Sequence, residues 1–144
     1  MSENYFFLKM ASKPENVPLA RILVSTFAAQ LPFTVADIEE IRVATSEAVS
    51  NAVIHGYEYK DGIIEIEASL ENGQLYLIIR DFGKGIADIE LAKQATYTTD
   101  PERMGLGLTF MESFMDELVI ESEIMKGTTV HMRKKPGEKV DDLK

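Results

Sequence analysis

Glu47, Asn51 and His55 recur at intervals of four residues in a segment whose apolar residues have helical spacing. The three side chains therefore lie along one edge of the predicted helix, where its buried face meets solvent. An asparagine carbonyl oxygen suits Mg²⁺, a hard cation that often shares its coordination with phosphates, and a carboxylate one turn away can take a proton from an attacking hydroxyl. In the alternative interpretation, Glu47 and Asn51 are ordinary solvated helix residues and His55 packs at the helix end.

A second group of candidate residues is the segment D-x-G-x-G, formed by Asp81, Gly83 and Gly85 directly after an apolar run that predicts a strand. A carboxylate held at the end of a strand can accept a hydrogen bond from an exocyclic amino group such as that of adenine. Glycines allow the backbone to approach a flat ring closely. The alternative for these residues is a tight turn after a strand, in which aspartate and glycine are both common.

Gly105, Leu106 and Gly107 precede an apolar segment with helical spacing and are predicted to open a helix. The unpaired N–H groups and the dipole of a helix N-terminus attract anions such as phosphate, even in an acidic protein. The wider G-x-G-x-x-G and G-x-x-x-x-G-K-[ST] phosphate motifs do not occur in the sequence. A short G-x-G motif is common, so by itself it marks only a candidate anion site.

The scaffold that positions these residues is predicted to belong to the α/β class, as a two-layer α+β sandwich with helices on one face of a mostly antiparallel, mixed sheet. Thr34 followed by Asp37 predicts the N-cap of the second helix, and Asn72-Gly73 predicts a hairpin turn. The pattern predicts strands at 5–10, 63–70, 75–80, 118–124 and 128–134, and helices over 17–31, over 34–56 and from 105 onward.

Length and composition set limits on the function. The 144 residues fit one domain, predicted over 1–136 and followed by a charged tail over 137–144, and the net charge of −9 argues against direct binding to nucleic acid. The lack of cysteine excludes disulfides, thiolate metal sites and a cysteine nucleophile. Without a recognisable secretory signal, or an apolar run approaching the ~20 residues of a membrane span, we expect a cytoplasmic protein that makes no membrane contact.

In combination, the motifs form a recognisable series. A helix with Glu-x-x-x-Asn, a strand ending in D-x-G-x-G, a polar segment and then G-x-G resemble the nucleotide pocket of the GHKL (Bergerat) ATPases, and Gly127-Thr128-Thr129 resembles the Gly-Thr that this family has near its last strands. A stand-alone domain with Glu four residues before Asn is similar to the anti-sigma serine kinases. The segments SEAVSNAVIHGYE, IIRDFGKGI and GLGLTFMESFMDELVIES favour the sporulation branch of those kinases.

For the site, the resemblance implies ATP and Mg²⁺ as ligands. Asn51 is implied to coordinate Mg²⁺, Glu47 to act as general base for the serine hydroxyl of a partner, and Asp81 to recognise the N6 amino group of adenine. A lid over 87–103 is implied to close over ATP. The other implied nucleotide contacts are Gly83, Gly85, Arg103, Gly105, Gly107 and, in support of the aspartate, Thr129.

For partners, the resemblance implies a homodimer that sequesters a sigma factor of the sigma F type and phosphorylates an anti-anti-sigma protein on serine. Arg21, on the first predicted helix, is the candidate partner contact, with a plain exposed arginine as the alternative. Three other functions stay open at this point: a stress-response kinase of the anti-sigma B type, a non-catalytic ATP-gated module that binds a sigma factor, and the catalytic fragment of a histidine kinase.

Overall fold

The computed structural model describes residues 4–92 and 100–137, with the backbone alone over 100–105. Within these ranges, five strands form one sheet in the order β1-β2-β3-β5-β4, and all four pairings are antiparallel. The predicted two-layer α+β arrangement is confirmed, although a mixed sheet was expected. The strands are β1 (Asn4–Ala11), β2 (Ile63–Glu71), β3 (Gln74–Asp81), β4 (Glu117–Glu123) and β5 (Gly127–Lys134).

The helices pack on one face of the sheet, and α2 lies between α1 and α4. The predicted cap of α2 is confirmed: the N–H of Asp37 donates to Oγ1 of Thr34, and the N–H of Thr34 donates to the Asp37 carboxylate, both at 3.0 Å. The helices are α1 (Asn16–Ala28), α2 (Val35–Asn51), α3 (Ile89–Ala92) and α4 (Asp100–Phe114). No helix in the described part of the chain has both the length and the apolar character that crossing a membrane requires.

Alternation along the central strands separates a dry face from a wet one. In β3, Leu75, Leu77 and Ile79 are buried under the helices, whereas the residues between them are only partly covered. On the wet face, the guanidinium of Arg80 pairs with the carboxylates of Glu65 and Glu67 on β2. The core therefore lies between the sheet and the α1, α2 and α4 layer, and the site described below is at one edge of it.

The third long helix begins earlier than predicted. We predicted a start at Gly105, but α4 begins at Asp100, so Gly105 and Gly107 lie inside it. The physical reason is visible in the sequence, because Asp100-Pro101 suits a helix start: a proline in the first turn of a helix loses no intrahelical hydrogen bond. Neither glycine is therefore at the N-terminus of α4.

Candidate functional site

Asp81 ends β3 and is buried, with only 8% of its surface exposed. It belongs to the row of β3 side chains that faces the helices, so a carboxylate occupies a position where alternation predicts an apolar residue. Its Oδ1 accepts a hydrogen bond from the N–H of Gly83 at 2.9 Å. Burial raises the pKa of Asp81 to about 6, and backbone hydrogen bonds from Gly83 and Thr128 act in the opposite direction. A buried carboxylate with a raised pKa is a candidate binding group.

The loop after Asp81 is held between two other segments of the chain. The N–H of Lys84 donates to the carbonyl oxygen of Gly56 at 2.9 Å, and the N–H of Met125 donates to the carbonyl oxygen of Lys84 at 2.7 Å. The first bond ties the loop to the segment after α2, and the second ties it to the turn between β4 and β5. The position of this loop therefore depends on both neighbours.

Gly83 and Gly85 allow this loop to pack closely against two other backbone segments. A Cβ on Gly83 would lie 2.1 Å from the carbonyl oxygen of Gly56, and one on Gly85, where φ is +77°, would lie 2.2 Å from the carbonyl oxygen of Glu123. Both glycines thus allow close packing against the protein's own backbone. Gly85 also lines the cavity described next, whereas Gly83 contributes the N–H that binds Asp81.

The helix that carries Asn51 changes its pitch directly after that residue. We predicted one helix up to Gly56, but α2 ends at Asn51 and a π-helical turn follows over Ala52–Gly56. Such turns are rare overall, and those that do occur are often at functional sites. Asn51 and His55 both face the cavity that Asp81 lines, so the predicted helix edge does meet the predicted strand end.

This cavity lies between α2, the sheet and α4. Its volume is about 20 Å³, which is room for roughly one water molecule. Its polar lining comes from Asn51, His55, Asp81 and Thr128. Leu108 of α4 forms part of the apolar lining, so α4 contributes one wall of the cavity.

Glu47 lies one helical turn before Asn51 and contacts α4 at Gly107. A Cβ on Gly107 would lie 2.7 Å from Oε1 of Glu47 and 3.5 Å from Nδ2 of Asn51. Glycine at this position lets α4 cross directly over both side chains. The structure thus brings together residues from the predicted E-x-x-x-N and G-x-G motifs, although Gly107 lies within a helix and its N–H is not at a helix terminus.

A second groove, of about 360 Å³, lies between α1 and α2, and Glu47 is part of its lining. Arg21, Arg42 and Ser46 line it together with Glu47. Nη1 of Arg21 donates to Oγ of Ser46 at 3.3 Å, which fixes the guanidinium against α2. Arg21, predicted as a partner contact, and Glu47, predicted as the general base, therefore share one groove.

Comparison with known proteins identifies the family of this chain. Residues 10–134 match the family model described as histidine kinase-like ATPase domain. The chain is 47% identical over 139 residues to the anti-sigma F factor of Geobacillus stearothermophilus, covering 94% of this chain and 95% of that protein. It is 49% identical over 138 residues to the anti-sigma F factor of Clostridium botulinum strain Alaska E43, covering 94% and 96%, and 47% identical over 137 residues to that of Clostridium acetobutylicum, covering 94% and 96%.

The chain belongs to the anti-sigma F factor family. Its match to a histidine kinase-like ATPase domain over residues 10–134 implies that it binds ATP. The cavity that Asp81 and Asn51 share is therefore the candidate nucleotide site of this family member.

The threonine that faces this cavity is Thr128, and the prediction of Thr129 is wrong by one residue. On β5, Gly127, Thr128 and Val130 are buried, whereas Thr129 is only partly covered. Successive side chains of a strand point to opposite faces of the sheet, so Thr129 points away from Asp81. Thr128 also pairs with Asp81 in the register of β3 and β5.

Sequence reasoning missed Ser122, which fixes Thr128. Its Oγ lies 2.8 Å from Oγ1 of Thr128, accepts a hydrogen bond from the N–H of Ile86 at 2.7 Å and donates to the carbonyl oxygen of Gly127 at 3.1 Å. The one available signal was a serine at an inward position of β4, where alternation predicts an apolar side chain.

Four predictions fall wholly or partly outside the described residues. The side chain of Arg103 and the surroundings of Gly105 lie outside them, as do residues 93–99 of the predicted lid. Within the described part of that lid, Ile89–Ala92 forms α3. The charged tail beyond residue 137 is also outside the described residues.

Substitutions at Thr128 and Thr129 test which of the two threonines contributes to ATP binding. Thr128→Val should raise the Kd for ATP about 3- to 10-fold, because valine keeps the volume of threonine and removes the hydroxyl of a residue that lines the cavity. Thr129→Val should leave the Kd within about twofold. Titration calorimetry with ATP measures both values, and a larger effect at Thr129 would contradict the assignment.

Proposed function

We propose that this chain is an ATP-dependent anti-sigma factor and protein serine kinase. It binds ATP in the cavity around Asp81, sequesters a sigma factor of the sigma F type, and transfers the γ-phosphoryl group of ATP to a serine of an anti-anti-sigma protein. The observation that carries the proposal is that Asn51 and Asp81 line one cavity, with Glu47 one turn away on α2. The names of the relatives, anti-sigma F factors, support this branch over the stress-response branch.

In this proposal, Asp81 recognises the adenine. Its carboxylate accepts a hydrogen bond from the N6 amino group, and Thr128 lines the same cavity. The N–H of Gly83 holds the carboxylate in position. A pocket of this kind selects adenine over guanine because guanine has an acceptor where adenine has its amino group.

Asn51 is the proposed protein ligand of Mg²⁺. No cluster of three or more His, Cys, Asp and Glu side chains that could hold a metal ion occurs among residues 4–92 and 100–137 as described. Asn51 alone is a sufficient protein ligand for a Mg²⁺ that is shared with ATP phosphates, because Mg²⁺ keeps several waters and rarely uses an all-protein cage. When bound there, Mg²⁺ neutralises phosphate charge.

ATP binding requires α4 to move away from the cavity. Sites for ligands of this size have volumes of several hundred cubic ångströms, and this cavity has about 20 Å³. Gly105 and Gly107 lie inside α4, and each glycine weakens a helix by about 1 kcal/mol relative to alanine. The first half of α4 is therefore the part that we expect to rearrange, which would free the N–H groups of both glycines for the phosphates.

The proposed reaction is direct phosphoryl transfer. Glu47 takes the proton of the partner's serine hydroxyl while the serine oxygen bonds to the γ-phosphorus. The bond from that phosphorus to the oxygen bridging it to the β-phosphorus breaks, and ADP leaves with that oxygen. The groove that Glu47 shares with Arg21 gives a partner protein access to the carboxylate without passing through the adenine cavity.

Arg21 is the proposed partner contact, and a homodimer is the proposed assembly. Arg21 lies on α1, its hydrogen bond to Ser46 holds the guanidinium against α2, and both residues line the groove. A guanidinium held in this way can pair with a carboxylate of a partner without first losing much side-chain entropy. Because both proposed partners act in transcription, we expect the activity in the cytoplasm.

The function is tested by mixing the purified protein with Mg²⁺, γ-labelled ATP and the anti-anti-sigma protein encoded nearest to it. We expect acid-stable label on the partner, because phosphoserine survives acid and phosphohistidine does not. Asn51→Ala should abolish labelling, and Arg21→Glu should reduce labelling and partner binding while ATP binding persists. Acid-labile label would favour a histidine kinase, and measurable ATP binding without label would favour a sequestering module.

A further inference from the structure

The Tyr57 hydroxyl bridges two backbone segments beside the adenine cavity. It donates to the carbonyl oxygen of Ile63, at the start of β2, at 2.6 Å. It accepts a hydrogen bond at 2.7 Å from the N–H of Phe82, the residue directly after Asp81. One proton and one lone pair of a single phenol group thus join β2 to the loop that follows β3.

Tyr57 is held in place through both its backbone and its ring. Its own N–H donates to the carbonyl oxygen of Ala52 across the π-helical turn at 2.9 Å. On the other side, a Cβ on Gly62 would lie only 2.5 Å from Cε1 of the ring. Any side chain at position 62 would therefore displace Tyr57, so glycine there lets the phenol reach both of its partners.

The position of Tyr57 links two of the proposed ligand groups. The residue follows the π-helical turn that starts directly after Asn51, and its hydroxyl fixes the residue directly after Asp81. The neighbouring bond from the N–H of Lys84 to the carbonyl oxygen of Gly56 runs between the same two segments. Together the two bonds set the distance between the C-terminal end of α2 and the end of β3.

We infer that Tyr57 is a positioning residue that holds Asp81 and its loop in register with Asn51 for ATP binding. This inference rests on the proposed function, since it concerns the same cavity. Tyr57 is not among the residues that line the cavity, and its hydroxyl binds the residue directly after Asp81, so its effect on ATP binding is exerted through Phe82 and Asp81. Tyr57 should therefore affect the binding of ATP, whereas the transfer of the phosphoryl group depends on Glu47.

The test is Tyr57→Phe, which keeps the ring and removes the hydroxyl. We expect the Kd and the KM for ATP to rise about tenfold, since the variant loses two hydrogen bonds that set the loop position. The kcat at saturating ATP should stay within about twofold of wild type, and the amide of Phe82 should exchange its hydrogen faster. Tyr59→Phe is the matched control, because Tyr59 is 65% exposed, and it should change none of these values.

A second variant reaches the same bonds by another route. Gly62→Ala keeps the Tyr57 hydroxyl but pushes the ring aside, and it should raise the Kd for ATP to a similar degree. If both variants bind ATP as tightly as wild type, the positioning role is wrong. An equal fall in kcat and affinity, with a large loss of melting temperature, would also overturn it in favour of a purely structural role. Failure of the wild-type protein to bind ATP would instead reject the proposed function.

Discussion

Replacing Glu47 with glutamine should slow phosphoryl transfer to the partner serine by about 10²- to 10⁴-fold, while the Kd for ATP stays within about threefold of wild type. Glutamine keeps the shape of glutamate and its packing against Gly107, but it cannot take a proton. The loss should therefore appear in kcat and leave KM for ATP nearly unchanged. Rapid-mixing assays with γ-labelled ATP and the partner protein measure the rate.

Glu39 is the matched control for this substitution. It lies on the same helix and lines the same groove as Glu47, and its carboxylate lies 3.8 Å from the guanidinium of Arg42. Glu39→Gln removes one carboxylate from the groove at a distance from the proposed reacting atoms, so the transfer rate should stay within about threefold. Transfer by Glu47→Gln at the wild-type rate would exclude Glu47 as the general base.

Replacing Asp81 with asparagine should abolish measurable ATP binding and, at neutral pH, make the protein more stable. The carboxylate receives backbone hydrogen bonds from Gly83 and Thr128, and in the proposed complex a third from the adenine amino group. Asparagine has one oxygen in place of two, and its amide nitrogen would face donors that it cannot accept from. We expect an affinity loss of at least about 100-fold.

The stability change follows from the buried charge. Because burial raises the pKa of Asp81 from 3.8 to about 6, the native state holds this proton more tightly than the unfolded chain does. Stability from this group is therefore fully present below about pH 4 and is lost as pH rises through 6. A shift of this size corresponds to about 3 kcal/mol, so Asp81→Asn should gain roughly 1–2 kcal/mol at pH 7.5 once its poorer hydrogen bonding is counted.

Thermal unfolding of both proteins from pH 4 to pH 8 measures this effect. The difference in melting temperature should be several degrees at pH 7.5 and should shrink toward pH 4. The affinity of the wild type for ATP should fall as pH drops below 6, because a protonated Asp81 is uncharged and accepts a weaker hydrogen bond from the adenine amino group. A variant that is less stable than wild type at pH 7.5 would mean that the carboxylate is held by more favourable contacts than burial alone suggests.

Local patterns were sufficient to predict much of this fold. The alternation in β2 and β3, the Thr34–Asp37 cap and the Asn72-Gly73 turn are each determined by residues close together in sequence, and the structure has them where they were predicted. The prediction that Asn51 and Asp81 belong to one pocket rested on the combined series of motifs and not on any single motif. Each motif alone has a common structural explanation.

The errors have physical causes that a local pattern does not reveal. Thr128 and Thr129 differ only in the phase of strand alternation, and that phase is set by the pairing of β5 with β3. The π-helical turn after Asn51 and the bridging role of Tyr57 depend on where β2 and the loop after β3 meet the end of α2. Such contacts between distant segments are a property of the tertiary structure.

The loop after Asp81 also limits how this pocket can be redesigned. Its two glycines face carbonyl oxygens of the segment after α2 and of the end of β4, so larger residues there would push three chain segments apart. A library that aims to change the preferred base should leave that backbone untouched and vary side chains already in the cavity wall, such as Thr128 and Ile86. In this protein, a change of ligand preference is therefore expected from substitutions of side chains that line the cavity, since the backbone of the loop after Asp81 tolerates little change.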